Sequence, residues 1–143
     1  MIEVVTVTTE QELADAYAVR MRVFVDEQGV PAEIEIDELD EIADHFLARL
    51  DGAPVGAGRL LVRDEVGVLG RLAVLEQTRG TGLGAALVRA IEERSRARGL
   101  RAVELHSQTQ ARGFYEKLGY EAYGEIGMDA GIPHIWMRRE LVN

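Results

Sequence analysis

Between an apolar run ending at Leu75 and an amphipathic stretch, the chain reads Arg79-Gly80-Thr81-Gly82-Leu83-Gly84. Alternating glycines let main-chain N–H groups converge with no Cβ atoms in the way. At the mouth of a helix those N–H groups and the helix dipole attract an anion, above all a phosphate. Four readings meet these residues. A nucleoside-triphosphate loop needs Gly-x4-Gly-Lys-Ser/Thr, and the chain's one lysine, Lys117, lies far beyond Gly84. A dinucleotide fingerprint, Gly-x-Gly-x-x-Gly/Ala, is matched by Gly80, Gly82 and Ala85, with Glu104 about 20 residues on. Against it, Glu76–Arg79 intervene between strand and glycines, and too little chain follows for a doubly wound sheet. A pyrophosphate cradle, Arg/Gln-x-x-Gly-x-Gly/Ala, is matched at every fixed position by Arg79, Gly82 and Gly84. The fourth reading is a tight strand-to-helix turn that binds nothing.

Other chemistry is bounded by what the chain has and lacks. It contains no cysteine, which removes disulfides, thiolate metal sites and any acyl-cysteine intermediate. The three histidines, His45, His106 and His134, have no metal-ligand spacing, so no metal is expected. From Asp26 to Asp44 run nine acidic residues and no Lys or Arg, matching the net charge of −9 of the whole chain. That bias argues against nucleic-acid binding. It fits a solvated acidic loop, or a rim that attracts a cationic substrate such as a protonated amine.

The elements that must position these residues follow from the pattern. The length of 143 residues predicts one domain over 1–143, large enough for a core without staples. No apolar run nears the roughly 20 residues that span a membrane. The start lacks a signal-peptide pattern, so a cytoplasmic location and no membrane partner are expected. A strand is predicted over 2–8. A helix follows to Gly29, opened by a Thr9/Glu12 capping box and striped by Leu13, Tyr17, Met21 and Phe24. Next come a hairpin over 44–64 around Asp51-Gly52, a mostly apolar and hence central strand over 66–75, and a helix from about Thr81 to Arg98. Its inner face is read as Leu83, Leu87, Ala90 and Ile91, with Gly99 as the stop. A strand over 101–107, a short helix over 110–120 and strands over 120–126 and 132–141 complete a mixed α/β order. Trp136 alternates with Ile135 and Met137, which suggests core or partner surface rather than a ligand contact.

Two segments together resemble a known family. "VLGRLAVLEQTRGTGLGAALVRAIE" resembles the acetyl-CoA motif of the GNAT N-acetyltransferase superfamily, and "HSQTQARGFYEKLGYEAYGE" resembles its following strand–helix motif. "VFVDEQGVPAEIEIDELDEIADHFLA" and "GIPHIWM" are similar to its ElaA/YjcF-like branch. The resemblance implies an α/β (α+β) fold, a mixed and mostly antiparallel twisted sheet of about six to seven strands with about four helices. It implies direct transfer of an acetyl group from acetyl-CoA to a primary amine. The acceptor would be a small molecule, cationic if the acidic run guides it; a protein lysine or peptide N-terminus stays open, as does a homodimer.

The resemblance also assigns residues. Main-chain groups of Leu72, Ala73 and Val74 would pair with the pantetheine, and a backbone N–H near Ala73 or Val74 would stabilise the thioester oxyanion. Arg79, Gly80, Thr81, Gly82, Leu83 and Gly84 would take the pyrophosphate of coenzyme A, with Phe114 and Lys117 as further cofactor contacts. Tyr115 would protonate the departing thiolate, and Gln28 and His134 would line the acceptor pocket. For the proton acceptor Glu27 is preferred, with Asp40, His45, Glu104, His106 and His134 as alternatives. Two rivals remain: a non-catalytic module that senses acyl-CoA, and a nicotinamide-binding protein.

Overall fold

The computed structural model describes residues 1–141; Val142 and Asn143, the end of the expected 1–143 domain, lie outside the described residues. The β-branched start forms β1 (Ile2–Thr6). It stops short of the expected Thr8 because Thr8 and Thr9 turn their N–H groups to the Glu12 carboxylate. That carboxylate and the Thr9 hydroxyl close the expected capping box and start α1 (Glu10–Arg20). The helix then widens into a π-helical stretch, Met21–Glu27, whose last bond runs from the Gln28 N–H to the Val23 carbonyl at 3.2 Å. The expected stripe of Leu13, Tyr17, Met21 and Phe24 is only half-buried; the buried face is Ala16, Val19, Arg20 and Val23. The buried Arg20 turns that face inward by pairing inside the protein with two carboxylates.

After α2 (Ala32–Glu35) and a 3-10 turn over Glu38–Glu41 come β2 (Asp44–Leu50) and β3 (Ala53–Arg63). Asp51 and Gly52 join them with φ of 51° and 87°, the two left-handed positions of a type I′ hairpin turn. The remainder is β4 (Val66–Val74), α3 (Leu83–Ala97), β5 (Ala102–Gln108), α4 (Arg112–Lys117), β6 (Glu121–Asp129) and β7 (Ile132–Glu140). They form a seven-stranded mixed sheet in the order β1-β2-β3-β4-β5-β7-β6. Among its described pairs only β4–β5 is parallel. This is not the doubly wound parallel sheet that a dinucleotide fingerprint requires.

Helices cover both faces. Gly56 and Gly58 on β3 are bare so that α3 can approach: a Cβ there would meet Leu87 Cδ1 at 3.0 Å and Ile91 Cδ1 at 3.1 Å. The buried face of α3 is Leu83, Leu87, Val88 and Ile91, with Val88 in the place expected for Ala90, which is half-buried. Side chains alternate along a strand, so Arg59 faces the opposite side, where α1 and the acidic segment lie. Among the described residues, no helix is long and apolar enough to cross a membrane.

Two features open the middle of the sheet. Ala57 pairs with Ala73 and Arg59 with Gly70, so Arg71 and Leu72 together oppose Gly58 in a β-bulge, with Arg71 at φ 52°. Beyond the bulge β4 leaves β5: their last rung is Leu69–Leu105, while β5 stays paired with β7 as far as Gln108–His134.

Candidate active site

The parting of β4 and β5 makes a cleft of about 1000 Å³, walled by the π-helical stretch, β4, the glycine loop, β5, α4 and the β6–β7 turn. Leu72, Ala73, Val74, Arg79, Gly80, Gly82, Leu83, Gly84, Phe114, Tyr115, Glu27, Gln28 and His134, all expected site residues, line it. Thr81 and Lys117 do not. Thr81 is exposed, with its hydroxyl bound to the Thr78 carbonyl, and Lys117 ends α4 on the surface.

The β4 edge presents its main chain to this cleft. The Leu75 N–H donates to the Val55 carbonyl on β3 at 2.9 Å. Main-chain groups alternate in direction along a strand, so the N–H and C=O of Val74 point away from β3 and into the cleft. The C=O is occupied, accepting from Arg79 Nε at 3.0 Å. The Val74 N–H is therefore a main-chain donor facing the cleft, and Ala73, the other residue expected near the oxyanion, turns its N–H to β3.

At the mouth of α3 the loop glycines divide their work. Gly80 and Gly82 take φ of 84° and 90°, left-handed positions that favour glycine and allow successive N–H groups to converge on an anion. Gly84 serves packing as well: a Cβ there would sit 3.1 Å from Phe114 Cζ, so the phenyl ring lies directly on the first turn of α3. Phe114 meets Tyr115 edge-on at 5.0 Å. The Tyr115 ring is buried, and among the described residues its hydroxyl has no hydrogen-bond partner. Burial pushes its pKa above the ordinary phenol value. Tyr120 anchors this motif from below, its hydroxyl donating to buried Glu92 at 2.7 Å.

The candidate proton acceptors separate sharply. Glu27 is clasped by Arg79 through two bonds of 2.8 Å, Nη1 to Oε2 and Nη2 to Oε1. Hydrogen bonding to that guanidinium lowers the Glu27 pKa, away from the value a base working near neutrality needs. The expectation of Glu27 as proton acceptor meets a geometry that opposes it. Asp40 binds Arg20 and Arg59 at 2.8 and 2.9 Å. His45 is buried edge-on to Tyr17 and donates from Nε2 to the Asp40 carbonyl at 2.8 Å. Glu104 is held by Arg138 at 2.8 Å.

The acidic run is only in part a solvated loop: Asp26, Glu33, Glu38 and Glu41 are exposed, and the other five carboxylates are paired with arginines. Three of its carboxylates fold inward onto three arginines from other elements. Arg20 pairs with Glu35 and Asp40, Arg59 with Asp37 and Asp40, and Arg71 with Glu35 and Asp37, all between 2.8 and 3.2 Å. Glu27 pairs with Arg79, and Asp44 with Arg94 and Arg98. Pairing of these five carboxylates weakens the expected pull on a cationic acceptor without removing it. In the knot, Arg59 Nε is the one buried side-chain nitrogen or oxygen left without a partner among the described residues.

Three cleft residues escaped the sequence reading. Trp136 lines the cleft, stacked on His106 at 4.8 Å and 22°, with His134 on the other side of that histidine, also at 4.8 Å. The signal was present: His134 and Trp136 are two apart on one strand and share a face, whereas Ile135 and Met137 point to the core. Gln108 donates to Gln28 at 2.7 Å across the cleft, and Asp129 approaches His106 from the end of β6. Neither carried any local sequence signal. Among the described residues no group of His, Asp or Glu is set to hold a metal ion.

Comparison with known proteins agrees with this fold. The family model described as acetyltransferase (GNAT) domain matches residues 5–141. The uncharacterized N-acetyltransferase YjcF of Bacillus subtilis (strain 168) is 41% identical over 140 residues, covering 97% of this chain and 100% of that protein. The crystal structure of Escherichia coli ElaA superposes with a TM-score of 0.86 at 29% identity, over 98% of this chain and 100% of that one. An acyl-CoA N-acyltransferase from Pseudomonas aeruginosa gives 0.83 at 32% identity, over 97% and 98%.

Proposed function

We propose that this chain, which belongs to the GNAT acetyltransferase family, transfers an acetyl group from acetyl-CoA directly to a primary amine. The observation that carries this reading is one cleft holding an open β4 edge, a left-handed glycine loop at the mouth of α3 and a tyrosine hydroxyl with no partner among the described residues. The pantetheine amides run along the open β4 edge at Leu72 and Val74, and the pyrophosphate lies on Arg79, Gly80, Gly82, Leu83 and Gly84, with Phe114 as a wall. The amine lone pair attacks the thioester carbonyl, the Val74 N–H takes the developing oxyanion, and the C–S bond breaks with its electron pair on sulfur. Tyr115 donates its O–H to that sulfur. Its raised pKa keeps the hydroxyl protonated through the physiological range, which is the form this step needs. Of an ammonium's three protons, one stays on the amide. A second leaves before attack, and the third balances the proton that Tyr115 gives up and regains. Gln28 and His134 border the acceptor.

Thermal unfolding with acetyl-CoA, CoA or NADH, followed by Tyr115→Phe, tests the reading. A ligand at 100 times its Kd stabilises the folded state by about 2.7 kcal/mol. At roughly 2–4 °C per kcal/mol, acetyl-CoA and CoA raise Tm by several degrees and NADH does not. Tyr115→Phe keeps that shift and lowers kcat at least about 100-fold on a panel of primary amines. Retained CoA binding with no turnover of any amine by the wild type would instead favour the acyl-CoA sensor.

A further inference from the structure

Deprotonation of the acceptor still needs a group, and among the described residues His106 is the cleft histidine whose ring nitrogens make no main-chain bond. His106 is the first residue of β5 beyond the Leu69–Leu105 rung, at the apex where β4 and β5 part. Its ring is wedged between Trp136 and His134, each 4.8 Å away, which leaves it little freedom to rotate. Asp129 Oδ2 lies 3.5 Å from Nδ1, at the edge of hydrogen-bond reach. Asp129 is placed there by the Ala130-Gly131 turn, whose φ values of 52° and 77° let β6 fold straight back into β7. His134 has a different commitment: its Nδ1 donates to the Ile132 carbonyl at 2.7 Å. Among the described residues no main-chain group binds either nitrogen of His106. Tyr115 approaches the same cleft from α4.

From this geometry we propose that His106 is the general base of the transfer, with Asp129 as the positioning residue that holds the proton on Nδ1 and turns Nε2 to the acceptor. The proposal rests on the acetyltransferase reading above. Nε2 takes one proton from the acceptor ammonium before its nitrogen attacks, and passes it to solvent as the amide leaves; no other reagent is required. The protonation state fits the task. Burial, and then the neighbouring His134, lower the His106 pKa below the ordinary histidine value of 6.5, while Asp129 opposes the shift. The ring is therefore neutral, and able to accept, at pH 7. The other charges nearby are committed. Arg63 lies over Trp136 at 5.8 Å, Glu104 is bound to Arg138, and Glu27 is bound to Arg79.

The sign of the pH dependence follows. A base works when unprotonated, so kcat rises with pH through the His106 pKa and levels off above it, with the limb below pH 6.5. The test takes the amine turned over best in the panel and measures kcat from pH 5 to 8, with saturating acetyl-CoA, for wild type, H106Q and D129N. H106Q loses at least about 100-fold and its low-pH limb disappears. D129N loses a smaller factor and its limb moves to lower pH, because removing the carboxylate removes the one influence that raises the His106 pKa. Asp129 is exposed, so D129N tests the idea even if H106Q folds poorly. The CoA-induced Tm shift checks the folding of both. If wild type acetylates amines but H106Q keeps its rate within threefold, or D129N leaves the limb in place, the base assignment is overturned and the acetyltransferase reading stands. If wild type acetylates no amine, both fall together.

Discussion

Arg79 holds two partners at once, the Glu27 carboxylate through its paired Nη atoms and the Val74 carbonyl through Nε. Both lie where the proposed cofactor must run, one beside the pyrophosphate cradle and the other on the pantetheine edge. Glu27 and the pyrophosphate therefore compete for a single guanidinium. The Glu27 carboxylate, with its pKa lowered by that bond, stays anionic across the physiological range and keeps competing. Both side chains are partly exposed, and pairs of this kind contribute about 0.2–1 kcal/mol. Glu27→Gln should thus tighten CoA binding by up to about fivefold, read as Kd by calorimetry. A weaker affinity in that variant would mean that Glu27 positions Arg79 for the phosphate instead of withholding it.

The π-helical stretch, the β4 bulge and the acidic segment are one construction centred on Arg20. Arg20 ends α1 with its guanidinium inside the protein, bonded to Glu35 and to both oxygens of Asp40. Immediately after it the helix widens, and that wider turn carries Phe24, Glu27 and Gln28 to the cleft. Arg71, left-handed at the bulge, reaches Glu35 as well, and Asp37, from β4. Folding segment 31–41 against the sheet thus sets one cleft wall, and the arginine knot holds it there. Removing one member of a buried ion cluster leaves uncompensated charge and costs about 3–5 kcal/mol. Arg20→Ala should lower Tm by roughly 6–20 °C. Arg22→Ala, two residues on and exposed, should stay within about 0.5 kcal/mol of wild type in urea unfolding. Equal losses in the two variants would reduce the knot to an ordinary helix surface.

Over the whole molecule, what could be read from the sequence was local, and what could not was long-range. The Thr9/Glu12 box, the Asp51-Gly52 turn, the amphipathic α3 and the glycines before it each declare themselves within a few residues. Arg20, Arg59 and Arg71 give no such sign, because their partners lie 15 to 36 residues away in a run that reads as solvated charge. The same knot shapes stability against pH. Burial alone would raise the Asp40 pKa, but hydrogen bonds from Arg20, the Asp37 N–H and Arg59 outweigh it and hold the carboxyl below its ordinary 3.8; Asp37 is also lowered. A depressed carboxylate stabilises the fold above its unfolded pKa, and that contribution is lost as pH falls below about 4. Glu35 goes the other way: desolvation outweighs Arg71 and Arg20 and raises its pKa above 4.5, so its charged form costs stability at neutral pH. Protonating it on the way down from pH 7 relieves that cost, and the net charge of −9 shrinks over the same range. Urea unfolding at pH 7, 5 and 3 should give equal or greater stability at pH 5 than at pH 7, then a steep fall by pH 3. Asp40→Asn should blunt that fall. A steady decline from pH 7 to 5 would mean that Glu35 is as comfortably charged as a surface carboxylate, and that the knot is better compensated than its burial implies.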